Sequence, residues 1–161
     1  MRGIAVSRVL VIGYGNPSRR DDGVGHYVVK ALRRRSGEVV DVLSFHQLVP
    51  ELAERVADYD LVIFVDAHTN AYGEGLEIRP LRPDQGPSAL SHHVRPEMVL
   101  AMAKALYGGE PRAFVFSIRG YDFGFGTELS EGTRKHADMA IERILEMVRN
   151  RGHGQGDRLS M

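Results

Sequence analysis

The sequence predicts an α/β fold: a single domain over residues 1–151, built on an open, twisted, mostly parallel sheet of about five strands. Helices cover both faces, and one antiparallel strand lies at an edge. Three observations predict it. Residues 9–12 and 61–65 are continuous apolar runs of the kind found in strands buried on both faces of a parallel sheet. Apolar residues at helical spacing alternate with such runs along the chain, giving a βαβαβ order with right-handed crossovers. The length, 161 residues, is that of one ordinary domain, and a chain of this size buries roughly 70% of its unfolded surface.

The elements follow in order. The run at 9–12 ends at Gly13. Val24, Val28, Ala31 and Leu32 then recur at helical spacing, with Lys30, Arg33, Arg34 and Arg35 where a helix C-terminus favours cations. Val39, Val40, Val42 and Leu43 suggest a second strand. A short helix opens near Pro50 and buries Leu52 and Val56. Residues 60–65 form strand three. In 73–81, Leu76 and Ile78 alternate with Glu77 and Arg79, which marks an edge strand with one wet face. Residues 82–91 read as an exposed loop, and Pro96 opens a helix whose inner face is Val99, Met102, Ala103 and Leu106. Residues 113–118 supply the last strand. Ser130 caps a terminal helix whose Ala137, Ala140, Ile141, Ile144, Leu145 and Val148 face the sheet. Residues 152–161 lack periodicity and read as a flexible tail.

Composition narrows the chemistry. Lysine plus arginine number 21 and aspartate plus glutamate 21, so no general basic field draws nucleic acid or an anionic membrane, and neither is expected as a partner. The chain has no cysteine. It therefore offers no disulfide, thiolate zinc site, cysteine nucleophile or iron–sulfur ligand of its own. No apolar run approaches the roughly 20 residues of a bilayer span, and the N-terminus lacks a signal peptide's apolar stretch, so the expected location is the cytoplasm.

The stretch GYGNPSRRDDGVG, residues 13–25, joins the first strand to the first helix. It differs from a dinucleotide fingerprint in carrying Ser18 where the third glycine belongs, and Asp21 and Asp22 at the helix start repel a phosphate. Asp21 is expected as an N-cap, leaving Asp22 as the exposed functional carboxylate. Asp66 ends an apolar strand, where open α/β sheets line their ligand crevice. Either it binds a ligand there or it accepts backbone hydrogen bonds from a neighbouring loop. His92 and His93 sit before the Pro96 helix, where imidazoles can enter a crevice or simply stay solvated. His46 and Gln47 reach the rim, while His26, His68 and His136 are expected at the surface. Two Asp and one His form an oxygen and nitrogen donor set suited to zinc or nickel, with positions left open. There is no HExxH pair or GxSxG elbow, and no serine, threonine, lysine or tyrosine shows a partner base.

Residues 9–25, with 47–52 (QLVPEL), Val65-Asp66-Ala67, Ser91-His92-His93 and Leu129-Ser130, closely resemble the signature of the [NiFe]-hydrogenase maturation endopeptidases, in order and over nearly the whole domain. The resemblance implies an enzyme that removes a C-terminal extension from a hydrogenase large-subunit precursor after nickel insertion. It also implies Asp22, Asp66 and His93 as metal contacts, Asp22 and Asp66 as catalytic residues, and Gly15, Asn16, Gln47 and His92 as substrate contacts. The nickel comes with the precursor, and zinc or cadmium substitutes in vitro. Position 22 carries Asp where several relatives carry Glu, a shorter arm that brings the carboxylate nearer the backbone. Two other classes use parts of the same pattern. One is a nickel-binding maturation chaperone without proteolysis, built on the same three residues. The other is a nucleotide- or phosphate-binding domain, which the paired aspartates oppose.

Overall fold

A computed structural model describes residues 8–36, 39–69, 73–84 and 93–150. Its five strands, β1 (Val9–Tyr14), β2 (Asp41–Phe45), β3 (Leu61–His68), β4 (Leu76–Pro80) and β5 (Arg112–Arg119), form one sheet in the order β2-β1-β3-β5-β4. All pairings are parallel except β4 with β5, so β4 is the expected antiparallel edge. The helices are α1 (Val24–Arg35), α2 (Leu52–Val56), α3 (Pro96–Tyr107) and α4 (Glu131–Asn150). Among the described residues, no helix is long and apolar enough to cross a membrane.

The sheet separates two apolar layers. Val9, Val11, Ile63, Val65, Phe116 and Ile118 face α1 and α4, whereas Leu10, Ile12, Val62, Phe64 and Val115 face α2 and α3. Strands β1 and β3 are therefore apolar at consecutive positions because both of their faces are covered. Each fully buried aliphatic or aromatic side chain contributes about 1.5 to 3 kcal/mol. The edge strand β2 has no such double cover, and its burial is partial.

Several boundaries differ from the sequence reading. Strand β2 begins at Asp41, with Val40 buried beside the core and Val39 exposed. Helix α2 begins at Leu52; Pro50 supplies a turn before it by accepting a hydrogen bond from Ala53 N. Strand β3 runs to His68 because β5 pairs with it along its whole length, to His68 opposite Arg119. Leu106 is 67% exposed, because the whole last turn of α3, residues 104–107, is in solvent and the buried face of the helix ends at Ala103. Residues 82–84 are exposed as expected. The rest of that loop, and the tail at 152–161, lie outside the described residues.

The chain leaves β1 through α1 to β2 on one side, then returns through α2 to β3 on the other. This reversal opens a crevice outside the carboxyl ends of β1 and β3. Gly25 makes the approach of α1 possible, because a Cβ there would lie 2.7 Å from the Val65 carbonyl oxygen and 2.8 Å from Tyr14 N. Helix α1 thus starts directly over the β1–β3 junction.

Candidate active site

The signature loop follows β1. Gly15 has φ of +141°, a value reserved for glycine, and any side chain there would collide with the Asp22 carbonyl oxygen. Its N–H is bonded to Phe45 O at 3.0 Å, which ties the loop to the end of β2. Asn16 then organises the turn. Its side-chain oxygen accepts from Ser18 N at 2.9 Å, and its own N–H donates to Asp22 Oδ2 at 2.8 Å. Asp22 is half-buried in this loop, its short arm held against the backbone.

Asp21 is not the N-cap of α1. It lies in a 3-10 turn, Arg20–Gly23, that precedes the helix, and Gly23 occupies the cap position without a side-chain bond. The Asp21 carboxylate is fully buried and crosses to the loop after β5. It accepts hydrogen bonds from Tyr121 N (2.7 Å), Asp122 N (2.9 Å), Ser130 N (2.7 Å) and Ser130 Oγ (2.7 Å). Burial alone would raise its pKa; the bonds from Ser130, Tyr121 and Asp122 together outweigh that and hold it below the ordinary carboxylate value. Arg20 reinforces the latch through an ion pair with Asp122 at 2.9 Å and a backbone bond to Gly126. Ser130 keeps its expected role as well, with Oγ 3.4 Å from Thr133 N in the first turn of α4.

Asp66 occupies the β3 face shared with Phe64, toward α2 and α3, two residues before the strand ends. Tyr14, the last residue of β1, donates its hydroxyl to Asp66 Oδ2 at 2.7 Å. Asp66 Oδ1 is buried and makes no close hydrogen bond of its own, while the Ser117 hydroxyl directly across the strand pair acts on the same carboxylate. Of the two roles the sequence left open, acceptance of loop backbone N–H groups is not the one seen here. Burial pushes the Asp66 carboxyl above its ordinary range, against the pull of the Tyr14 and Ser117 hydroxyls. Burial and the neighbouring Asp66 charge likewise raise the Tyr14 phenol, so it keeps its proton and acts as the donor.

Next to this pair lies a cavity of about 550 Å³, lined by Tyr14, residues 47–50, His93 and Val94. Gln47 and His93, both exposed, thus share one cavity with the tyrosine that holds Asp66. His46 is exposed and is not among the lining residues. His92 lies outside the described residues. Asp22, Asp66 and His93 all belong to segments at the carboxyl end of the sheet, but they do not close on a single point. Among the described residues, no group of three or more His, Asp or Glu side chains is gathered so as to hold a metal ion.

Three histidines expected at the surface are half-buried and bonded instead. His26 Nε2 lies 2.8 Å from Gly15 O, His136 Nδ1 lies 2.9 Å from Gly132 O, and His68 Nδ1 lies 2.9 Å from Ser117 Oγ. Ser117, directly opposite Asp66 in the β3–β5 register, therefore does have an imidazole partner that the sequence did not reveal. Tyr14 and His68 were also missed as members of this polar layer. The available signal was two-residue alternation: once β3 is extended past Val65, Asp66 and His68 fall on one face.

No protein-family model matches the chain, and no curated protein matches it. Solved structures do. The hydrogenase 2 maturation peptidase from Thaumarchaeota archaeon SCGC_AB-539-E09 shares 28% identity and a TM-score of 0.65, over 88% of this chain and 97% of that one. The [NiFe] hydrogenase maturation protease HycI from Thermococcus kodakarensis KOD1 shares 25% identity and a TM-score of 0.69, over 89% and 94%. The hydrogenase maturating endopeptidase HybD from E. coli, at 22% identity, has the same fold with a TM-score of 0.69, over 88% and 92%.

Proposed function

The chain belongs with the hydrogenase maturation endopeptidases, which are peptidase hydrolases, and on that premise we propose that it removes the C-terminal extension of a [NiFe]-hydrogenase large-subunit precursor in the cytoplasm. The observation that carries this reading is the crevice at the β1–β3 switch point, which the signature loop, the Tyr14–Asp66 pair and the cavity bordered by His93 adjoin.

Nickel arrives as cargo, held by the precursor, and supplies Lewis-acid polarisation of a nearby carbonyl. The chain's own residues grip and orient. Asp22 and Asp66 contribute carboxylate oxygens and His93 an imidazole nitrogen, a donor set that suits a borderline divalent ion. Gly15 and Asn16 hold the loop that presents Asp22, and Gln47 borders the cavity as a hydrogen-bonding partner for an extended peptide. Docking through the cation places the scissile bond in the crevice, which converts cleavage by water into an oriented, effectively intramolecular step.

Purified protein mixed with a nickel-loaded precursor is expected to release a C-terminal peptide detectable by mass spectrometry. Asp22→Ala and His93→Ala are each expected to slow this at least about a hundredfold, with the circular dichroism spectrum preserved. Cleavage at the native rate by either variant removes that residue from the site.

A further inference from the structure

We propose that Phe125 is the aromatic anchor of a docking surface for the folded body of the precursor, beside the crevice that takes the scissile bond. The proposal rests on the reading of the chain as a precursor-processing endopeptidase. Phe125 is 84% exposed, and the Arg19 guanidinium stacks on its ring, 4.6 Å from the centroid. Tyr121, on the same loop, is 50% exposed and carries the Arg119 guanidinium at 4.6 Å. Aromatic rings and arginines are the side chains that dominate binding energy at protein interfaces.

The loop that carries Phe125 is fixed at several points, all of them on the signature loop. Gly126 N donates to Ser18 O and Gly126 O accepts from Arg20 N, both at 2.9 Å, while Asp21 N donates to Asp122 O at 2.9 Å. The buried Asp21 carboxylate adds its bonds to Tyr121, Asp122 and Ser130. The grip includes strain, because Arg20 has φ of +46°, a left-handed conformation that side chains seldom adopt. A phenylalanine left in water gains no burial to offset that cost; one already fixed for a partner loses little freedom on binding. The topology says which partner. Strands β1, β3 and β5 run parallel, so their carboxyl ends share one edge of the sheet. The Phe125 loop leaves β5 at that edge, bonded to the loop that leaves β1, and so stands on the rim of the crevice. A protein seated over the crevice meets Phe125. The occupant is a folded surface, because a standing ring is buried in a concave pocket and an extended peptide has none.

The test compares the native chain, Phe125→Ala and Phe125→Tyr on nickel-loaded large-subunit precursor. Rates of peptide release are followed by mass spectrometry over a range of precursor concentrations, with thermal melts and sedimentation of each chain alone. Phe125→Ala is expected to melt within about 2 °C of native, because so exposed a ring contributes little burial. Its KM is expected to rise about tenfold or more. Turnover at saturating precursor should stay within about twofold of native, since a remote docking contact acts on ground state and transition state alike. Phe125→Tyr keeps the ring, so its KM should stay within about threefold of native. Native KM in Phe125→Ala, or a fall in saturating turnover in place of a rise in KM, overturns the docking role and leaves the endopeptidase reading standing. A native dimer that Phe125→Ala turns into a monomer overturns it too, because the ring then seats on a second copy. If the native chain releases no peptide from the precursor, the endopeptidase reading fails, and the docking role falls with it.

Discussion

Asp66→Asn is expected to reduce precursor cleavage at least about a hundredfold while leaving the folded state at neutral pH as stable as the native chain or more stable. The two halves of this result come from one cause. Burial disfavours the charged carboxylate and raises its pKa, so folding at neutral pH carries the cost of an ionised group placed largely out of water. Asparagine keeps an oxygen that can accept the Tyr14 hydroxyl and removes the charge.

The sign follows from proton binding. Between the ordinary carboxylate pKa and the raised folded value, the folded chain holds more protons than the unfolded one, so native stability falls as pH rises through that window and then levels off. The variant lacks this slope. The difference in melting temperature, variant minus native, should therefore open across the window and shrink in stronger acid. Thermal melts at several pH values, paired with mass spectrometry of the precursor, check both halves. Native cleavage by Asp66→Asn would remove this carboxylate from the catalytic site.

Asp21→Ala acts in the opposite direction on stability. Its removal leaves three backbone N–H groups and the Ser130 hydroxyl without their shared acceptor. Each buried unsatisfied donor costs about 1 to 3 kcal/mol, so a total loss of about 3 kcal/mol or more is expected. For a chain of this length that is a fall of about 6 to 12 °C in melting temperature. The Asp21 pKa is depressed in the folded state, so its contribution is fully present above the ordinary carboxylate value and is lost as pH falls through the folded value. The variant should show a flatter acid limb. A melting temperature within 2 °C or so of native would mean the loop after β5 is held by something other than this carboxylate.

These two aspartates show how far the sequence could be read. Residues with regular periodicity declared themselves: the double-faced apolar runs of β1 and β3, the alternation in β4 and the stripe of α4 each correspond to an observed element. The paired aspartates did not separate as expected. At the level of spacing, Asp21 is indistinguishable from a helix cap, because its four donors lie about 100 residues away on a loop that comes near only after β5 joins the sheet. Tyr14 and His68 were hidden for the same reason. Their partners, Asp66 and Ser117, are neighbours across strands, and a strand taken to end at Val65 leaves both histidine and serine without context. Local chemistry was legible in Gly15 and Asn16, where the partners lie within a few residues along the chain.

The most direct test of metal-guided proteolysis is a side-by-side digestion of nickel-loaded and nickel-free forms of the same large-subunit precursor, followed by intact mass. Loss of the C-terminal peptide from the nickel-loaded form alone is the predicted result. Equal cleavage of both forms would contradict it, because recognition would then rest on the peptide and not on the cation it carries.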